Sequence, residues 1–390
     1  MKENLFTNAP PMGWNSWNTF MFDLNEETLR EIALSLKSQG FLEAGYTYFC
    51  LDDGWEDKTR RIGHGVDYDK KKFPSGLAAF GDFLHDLGFK FGIYSCAGTL
   101  TCGGYPASYG YEYEDAENFA KWGVDLLKYD NCYVPADVQS KYLYRRMGQA
   151  LRETGRPILY SMCNWGFDDS QNWARTTGAN IYRIGGDIRD TWENIEGGMN
   201  TIAGLNISAH SGVGCFADPD FLVVGMNGDG AVSHLGEETS ANATDSIYRV
   251  QFSLWCMLCA PLLMSHDPRK TTQGAKDILL NHEMIAVNQD PAFIPAYQCK
   301  VEKMLSTWEM SKTEIWAKPL YNGDVVVGLF NRREGPTDLV ASFESFGFAI
   351  TDTVCAYDLW AHEEIGLYRG SITINVGGRD CKVLRLHRQK

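Results

Sequence analysis

The sequence lacks an excess of basic charge. Its 390 residues carry 36 lysines and arginines against 50 aspartates and glutamates, a formal net charge of -14. An acidic surface repels nucleic acid and anionic membranes, so we expect neither as a partner and regard a neutral substrate as the simpler expectation. No run approaches the ~20 apolar residues of a membrane span, and the first residues show no apolar signal segment. We therefore expect a cytoplasmic protein, or an extracellular one if a leader has been removed.

The motifs of several common protein classes are missing as well. None of the eight histidines forms His-x-His or His-Glu-x-x-His, so a transition-metal site has no visible imidazole ligands. The eleven cysteines are odd in number and scattered, unlike the framework of a small secreted protein. Cys256 and Cys259 form a Cys-x-x-Cys inside an apolar run, which favours buried thiols over a zinc or redox pair. We expect no metal and no cofactor.

What the sequence does contain is a repeated unit of helix, glycine and strand. In its first clear copy, apolar residues recur at helical spacing over residues 25–36, with Asn25 as a candidate N-cap and a stop at Gly40. A β-rich run follows at residues 46–51. Further units predict strands at residues 89–94, 124–129, 157–161 and 181–184. This alternation predicts a parallel sheet with right-handed crossovers.

The positions of the aspartates favour a closed barrel over an open, doubly wound sheet. Asp52, Asp53, Asp130 and Asp187 each follow the carboxyl end of a predicted strand, where barrel enzymes gather their catalytic groups. An open nucleotide-binding sheet would need a glycine-rich phosphate loop after its first strand, and no such motif is present. We therefore predict an α/β fold, with a (β/α)8 TIM barrel over residues 1–297.

After the barrel the pattern changes to antiparallel β structure. The turn signal Asn322-Gly323 separates strand-like residues 315–317 from residues 324–330, which predicts a hairpin. Two more β-rich runs follow at residues 371–376 and 381–386. We predict a C-terminal antiparallel β-sandwich domain over residues 298–390.

Several residues near the strand ends suit a sugar site, which needs aromatic faces, carboxylates that grip hydroxyls and two carboxyl groups beside the anomeric carbon. Trp17 is a stacking candidate, although it could equally belong to a core. The adjacent Asp52 and Asp53 indicate that their carboxylates bind a ligand or a metal. The alternative without a function is that they cap a loop. Metal-assisted hydrolysis is the main chemical alternative, and the absence of suitably placed histidines argues against it.

Two further aspartates have a basic residue nearby in the sequence. Lys128 precedes Asp130 by two residues, so on a strand both side chains share a face. The ammonium would favour an ionised Asp130, either as a nucleophile or simply as a buried ion pair. Asp187 follows two glycines, with Arg183 on the strand before it, a signal that is weak by itself.

Four motifs taken together resemble family 27 glycoside hydrolases, the α-galactosidases and α-N-acetylgalactosaminidases. They are MGWNSW at residues 12–17, LDDGW at 51–55, KYDNC at 128–132 and DPD at 218–220. The resemblance implies that Asp130 is the nucleophile of a retaining mechanism and Asp187 the acid and base, with carboxyl groups about 5 to 5.5 Å apart. It also implies substrate contacts from Trp17, Asp52, Asp53, Tyr94, Lys128 and Arg183.

The sequence departs from the family pattern at the position after Cys163. Asn164 stands there, as in fungal α-galactosidases, and the resemblance implies that it hydrogen-bonds the sugar O2. Asn164 with Trp165 leaves no evident room for an acetamide, which favours galactose. The expected substrate is therefore a small-molecule α-galactoside or a glycan.

Other departures concern the cysteines and the pocket wall. Gly54 occupies a frequent cysteine position, and Cys163 lacks its usual partner near Ile181. The resemblance therefore implies that only the pair Cys102 and Cys132 can form a family disulfide, in accord with a reducing compartment. Phe221 replaces a frequent methionine and is expected to adjust the pocket wall without changing the reaction.

Three other functions stay open. A β-L-arabinopyranosidase of the same family would act on a sugar that lacks the C5 hydroxymethyl group, and the intact Asp52-Asp53 pair weighs against it. An α-N-acetylgalactosaminidase would need room for the acetamide. A non-catalytic galactoside-binding protein would have no need of both Asp130 and Asp187. The aglycone is undetermined, and an oligomer is compatible with the sequence.

Overall fold

The computed structural model describes residues 8–59, 64–234, 242–301 and 312–389. Its first eight strands are parallel: β1 (Met12–Asn15), β2 (Tyr48–Cys50), β3 (Lys90–Cys96), β4 (Leu126–Asp130), β5 (Leu159–Met162), β6 (Ile181–Arg183), β7 (Phe216–Asp218) and β8 (Leu262–Met264). They form one sheet in the order β7-β6-β5-β4-β3-β2-β1-β8. A parallel bridge between Leu222, beyond β7, and Met264 of β8 connects the two ends of this sheet. The predicted (β/α)8 barrel is confirmed.

Helical segments alternate with these strands along the chain. They are α1 (Trp17–Phe20), α2 (Glu26–Ser38), α3 (Leu77–Leu87), α4 (Glu112–Lys121), α5 (Ser140–Glu153), α6 (Ala174–Thr177), α7 (Trp192–Gly204), α8 (Ile207–His210), α9 (Asp245–Met257), α10 (Gln273–Leu279) and α11 (His282–Asn288). Short 3-10 turns cover Phe167–Asn172, Ala231–His234, Pro268–Lys270 and Phe343–Phe346. No helix among the described residues is both long and apolar enough to cross a bilayer. The cytoplasmic location stays a prediction.

The first predicted helix shows how local sequence sets an element. The side chain of Asn25 accepts a hydrogen bond from the backbone N–H of Thr28, as its N-cap role requires. Leu29, Ile32 and Leu36 are buried on one face of α2, which is the stripe that their spacing predicts. The helix runs two residues further than the pattern indicated, because helix ends are poorly marked by periodicity.

Every β1 residue is buried, and at Gly13 the packing leaves no room for a side chain. A Cβ atom added to Gly13 would lie 2.2 Å from the carbonyl oxygen of Tyr48, its partner on β2. Inside the sheet, Tyr48 belongs to an apolar cluster with Cys50, Leu126, Leu159 and Ile181, contributed by β2, β4, β5 and β6. This packing supports the strand ends from which the functional side chains project.

The described residues divide into two compact units. The first contains residues 8–190, 213–234 and 261–271, and therefore all eight barrel strands; the second contains residues 191–212, 242–260 and 272–389. The predicted domain boundary between residues 297 and 298 stays a prediction.

The second unit contains the strands β9 (Tyr297–Val301), β10 (Thr313–Pro319), β11 (Val325–Asn331), β12 (Thr337–Ser342), β13 (Val354–Asp358), β14 (Glu363–Tyr368), β15 (Ser371–Val376) and β16 (Asp380–Arg388). They form an antiparallel six-stranded sheet in the order β14-β13-β16-β11-β10-β9 and the two-stranded sheet β12-β15. Apolar side chains from both sheets form one core. The predicted hairpin is β10 and β11, and the C-terminal β-sandwich is confirmed.

Candidate active site

One cavity at the carboxyl ends of the barrel strands gathers eight of the nine residues predicted to be catalytic or to bind substrate. Parallel strands end at one edge of a barrel, so side chains distant in sequence meet there. The ninth, Asn164, is fully buried and is not among the lining residues. The eight are Trp17, Asp52, Asp53, Tyr94, Lys128, Asp130, Arg183 and Asp187, and Cys102, Asp220 and Phe221 also line the cavity.

Asp52 and Lys128 form a buried ion pair in this cavity. The Lys128 ammonium donates to Oδ2 of Asp52 at 2.7 Å, and the side-chain amide of Asn15 donates to the same oxygen at 2.8 Å. Burial alone would lower the pKa of Lys128, but its neighbours, Asp52 first among them and Asp130 as well, together reverse this effect and raise the pKa. Lys128 is therefore positively charged in this cavity, and the Asn15 amide helps to hold its partner Asp52 in place.

Asp53 points into the same cavity from the β2 end. Its Oδ2 accepts a hydrogen bond from the backbone N–H of Gly103 at 2.6 Å. Burial raises the pKa of Asp53 to about 6, although the Gly103 hydrogen bond opposes the rise. The loop after β3 thus orients a carboxylate suited to a sugar hydroxyl.

Asp130 is the last residue of β4 and is almost fully buried. The backbone N–H of Asn131 donates to its Oδ1 at 2.9 Å, and the hydroxyl of Tyr94 donates to its Oδ2 at 3.3 Å. Burial raises the pKa of Asp130 to about 6; Lys128 lowers it, and the negative charge of Asp187 raises it further. The carboxylate is thus oriented from two sides.

Arg183 connects the β6 end to two carboxylates. Its Nη2 donates to Oδ1 of Asp187 at 2.9 Å and to Oδ2 of Asp220 at 2.6 Å. Burial raises the pKa of Asp220 to about 7 against the opposing effect of Arg183. The Asp187 side chain is 61% exposed; desolvation of its inner side pushes its pKa up, but Arg183 and Lys128 more than compensate and leave it below its ordinary value.

The two candidate catalytic carboxyl groups therefore differ in the free protein. Asp130 holds its proton to about pH 6, whereas Asp187 is ionised at lower pH. Environments that separate the pKa values of paired carboxyl groups are typical of acid–base sites.

A disulfide joins Cys102 to Cys132 beside this pair. It connects the loop after β3 to the segment after β4, and the Cys102 Sγ lies 3.6 Å from Oδ2 of Asp130. The one group of three potential metal ligands found in the described parts of the chain is Cys102, Asp130 and Cys132. Both sulfurs are used in the disulfide, so this group offers no thiolate to a metal.

Sequence reasoning missed Asp220 as a site residue. It lies in the DPD motif, one of the motifs that carry the family resemblance. Its backbone has a positive φ of 91°, a conformation that the residue pattern does not predict. Trp165 was considered only as a steric neighbour, yet its side chain is one of the groups that lower the pKa of Asp187. Asn164 instead donates its amide to the carbonyl of Phe167 at 2.8 Å. Its contact with the sugar O2 stays a prediction.

Comparison with known proteins identifies the family to which the chain belongs. A family model described as Alpha galactosidase A matches residues 9–290, and one described as Alpha galactosidase C-terminal beta sandwich domain matches residues 310–386. An α-galactosidase from Cyamopsis tetragonoloba is 39% identical over 386 residues, covering 98% of this chain and 87% of the relative.

Solved structures show the same similarity. The α-galactosidase I from Mortierella vinacea is 32% identical, with a TM-score of 0.88 over 99% of this chain and 98% of that one. An α-galactosidase from Saccharomyces cerevisiae, solved with raffinose, is 29% identical, with a TM-score of 0.86 and 98% coverage of both chains. The fold and these relatives define a glycoside hydrolase. The chain belongs to the α-galactosidase family, family 27 of the glycoside hydrolases.

Proposed function

We propose that this glycoside hydrolase is a retaining α-galactosidase that removes terminal, non-reducing α-D-galactosyl residues from oligosaccharides or glycoconjugates. The observation that carries the proposal is the shared cavity of Asp130 and Asp187, whose remaining polar lining can grip hydroxyl groups. The names of the relatives support the choice of galactose. No cofactor has a role in the reaction proposed.

In the first step, Asp130 attacks the anomeric carbon and forms a covalent galactosyl ester. The glycosidic C–O bond breaks, and Asp187 transfers its proton to the leaving oxygen. Tyr94 and the N–H of Asn131 orient the attacking carboxylate. The mechanism requires the two carboxyl groups to stand about 5 to 5.5 Å apart.

In the second step, water replaces the leaving group. Asp187, now ionised, takes a proton from the water, whose oxygen attacks the anomeric carbon and releases the carboxylate of Asp130. Two displacements at one carbon restore the α configuration. Asp187 ends the cycle protonated and Asp130 ionised, as they began it.

The reaction requires an ionised Asp130 and a protonated Asp187. This is the reverse of the protonation state that the pKa values favour in the free protein. A sugar that fills the cavity removes water from Asp187, which raises its pKa. Because the charge of Asp187 is one of the factors that raise the pKa of Asp130, protonation of Asp187 lowers the pKa of Asp130 in turn. Substrate binding and carboxyl coupling therefore act together to move the proton to the acid.

The other enzymatic candidates differ in the sugar accepted. An α-N-acetylgalactosaminidase needs space near O2, and a β-L-arabinopyranosidase has no C5 hydroxymethyl group to hold. The presence of both Asp52 and Asp53 in the cavity favours a sugar with hydroxyls for both carboxylates.

The proposal is tested with matched 4-nitrophenyl glycosides: α-galactoside, α-N-acetylgalactosaminide and β-L-arabinopyranoside. We expect the highest kcat/KM on the α-galactoside, with Asp130→Asn as the blank for contaminating activity. A higher kcat/KM on another glycoside would show that its sugar, and not galactose, is the preferred substrate. Wild-type protein that binds galactose but turns over none of the three would support a binding protein.

A further inference from the structure

An exposed aromatic ring lies close to the proposed acid. Phe167 is 58% exposed, and its ring meets that of Trp165 edge to face, with centroids 6.0 Å apart. The Trp165 side chain in turn interacts with Asp187 and lowers its pKa. One aromatic neighbour thus separates Phe167 from the group that would protonate the leaving oxygen.

The backbone that presents Phe167 is strained. Trp165, Asp168 and Asp169 have φ of 55°, 57° and 51°, and Gly166 between them has φ of 81°. Left-handed conformations are unfavourable for residues that carry a Cβ atom, and they persist where the surroundings hold them. We call residues 165–169 the aromatic loop.

Two buried or bridging side chains hold the aromatic loop in this shape. Asn164, which is fully buried, donates its amide to the carbonyl oxygen of Phe167 at 2.8 Å. The indole N–H of Trp173 donates to the carbonyl oxygen of Asp168 at 2.8 Å. The backbone N–H of Phe167 also donates to the carbonyl of Asn164 at 3.0 Å. These hydrogen bonds therefore hold the loop in a conformation that leaves the apolar ring of Phe167 exposed to solvent.

We propose that Phe167 is the stacking platform for the leaving group, and that the group it accepts is an uncharged pyranose. This inference rests on the proposed α-galactosidase function. The leaving oxygen must reach Asp187, whose side chain is largely exposed, so the aglycone extends outward at Asp187 and meets the aromatic loop. The C–H face of a pyranose is apolar and covers an aromatic ring in the way that aromatic side chains favour.

The charges beside the ring define the class of aglycone. Asp168 and Asp169 are both exposed next to Phe167. Two carboxylates accept hydrogen bonds from sugar hydroxyls and repel an acidic group. A neutral hexose therefore fits this subsite, and a uronic acid does not.

The test compares two galactosyl donors, melibiose, which has a glucose leaving group, and α-galactosyl fluoride, which has no leaving sugar. We expect Phe167→Ala to lower kcat/KM for melibiose about 3- to 10-fold, the loss of one aromatic stacking contact, and to change the fluoride by less than about twofold. Phe167→Trp should restore melibiose turnover. Tyr321→Ala, which truncates a 75% exposed aromatic side chain of the second unit, is the matched control.

Equal loss on both substrates in Phe167→Ala would overturn the platform and indicate a purely structural role for the ring. An unchanged kcat/KM for melibiose would also overturn it. Wild-type turnover of the fluoride separates the two proposals. If the wild type hydrolyses the fluoride but Phe167→Ala does not impair melibiose hydrolysis, only the stacking role of Phe167 is refuted. A wild type inactive on both donors would refute the α-galactosidase function itself.

Discussion

Replacing Lys128 by methionine should move the whole pH profile of kcat/KM to higher pH. This profile reports the free enzyme, in which the active form has Asp130 ionised and Asp187 protonated. The favoured order is the reverse, so the acid limb follows the lowered pKa of Asp187 and the alkaline limb follows Asp130 at about 6. The Lys128 ammonium lowers the pKa of both carboxyl groups. Its removal raises both, and both limbs move up.

The size of the shift follows from the geometry of β4. Lys128 and Asp130 are two residues apart on one strand, so their charges are separated by roughly 7 Å. At an effective dielectric constant of about 20, that interaction is worth about 2.4 kcal/mol, or roughly 1.7 pKa units. The Asp52 carboxylate, 2.7 Å from the ammonium, is present in the wild type and in the variant, so it does not change this difference. We therefore expect a shift of about one to two pH units.

The assay is hydrolysis of 4-nitrophenyl α-galactoside from about pH 3 to pH 8, with the folded state of each variant checked by thermal unfolding. Lys128→Arg keeps the charge and should keep the wild-type limbs, even where its overall rate is lower. Lys121→Met, on the exposed face of α4, controls for the loss of one positive charge. Limbs that stay in place, or move to lower pH, in folded Lys128→Met would refute the reasoning.

Three further changes test other parts of the structure. Asp130→Asn should lower kcat by at least about 10³-fold. The free energy of unfolding of the same variant should be about 2 to 3 kcal/mol higher than that of the wild type at pH 7, because ionising a buried group with a pKa of about 6 destabilises the fold. This gain in stability should vanish below about pH 4, where the wild-type carboxyl group is protonated in both the folded and the unfolded state. A variant no more stable than the wild type at pH 7 would contradict the reasoning. Reduction of the disulfide, whose cysteines are 30 residues apart, should cost about 3 to 4 kcal/mol in urea unfolding, whereas unchanged stability would show that the loop is held by other contacts. Gly13→Ala should destabilise by at least about 1 to 3 kcal/mol, since its Cβ would lie 2.2 Å from the Tyr48 carbonyl, and a wild-type melting temperature would show that the strands can separate.

Much of the barrel could be predicted because local chemistry and the fold agree. Asn25 caps α2 and its apolar stripe is buried, and Asp130 ends a strand whose apolar residues are buried. Carboxylates at the ends of parallel strands must lie at one edge, so the sequence alone is enough to group Asp52, Asp53, Asp130 and Asp187.

The remaining site residues depend on features that side-chain patterns do not carry. Asn164 is buried outside the cavity lining and donates its amide to the carbonyl of Phe167. The aromatic loop that follows it has left-handed backbone at Trp165, Asp168 and Asp169, which their residue types do not predict. Asp220 lines the cavity and accepts a hydrogen bond from Arg183 at the end of β6, a contact between segments 37 residues apart that no local pattern predicts. The protonation order likewise reflects burial and neighbouring charges, and spacing along the chain does not determine it.

The most direct test of the two-aspartate account is proton NMR of the sugar first released from 4-nitrophenyl α-galactoside, recorded before the anomers equilibrate. Double displacement through Asp130 predicts that α-galactose appears first and β-galactose only later, by mutarotation. Initial release of β-galactose would mean that water attacks the anomeric carbon directly, and Asp130 would then not be a nucleophile.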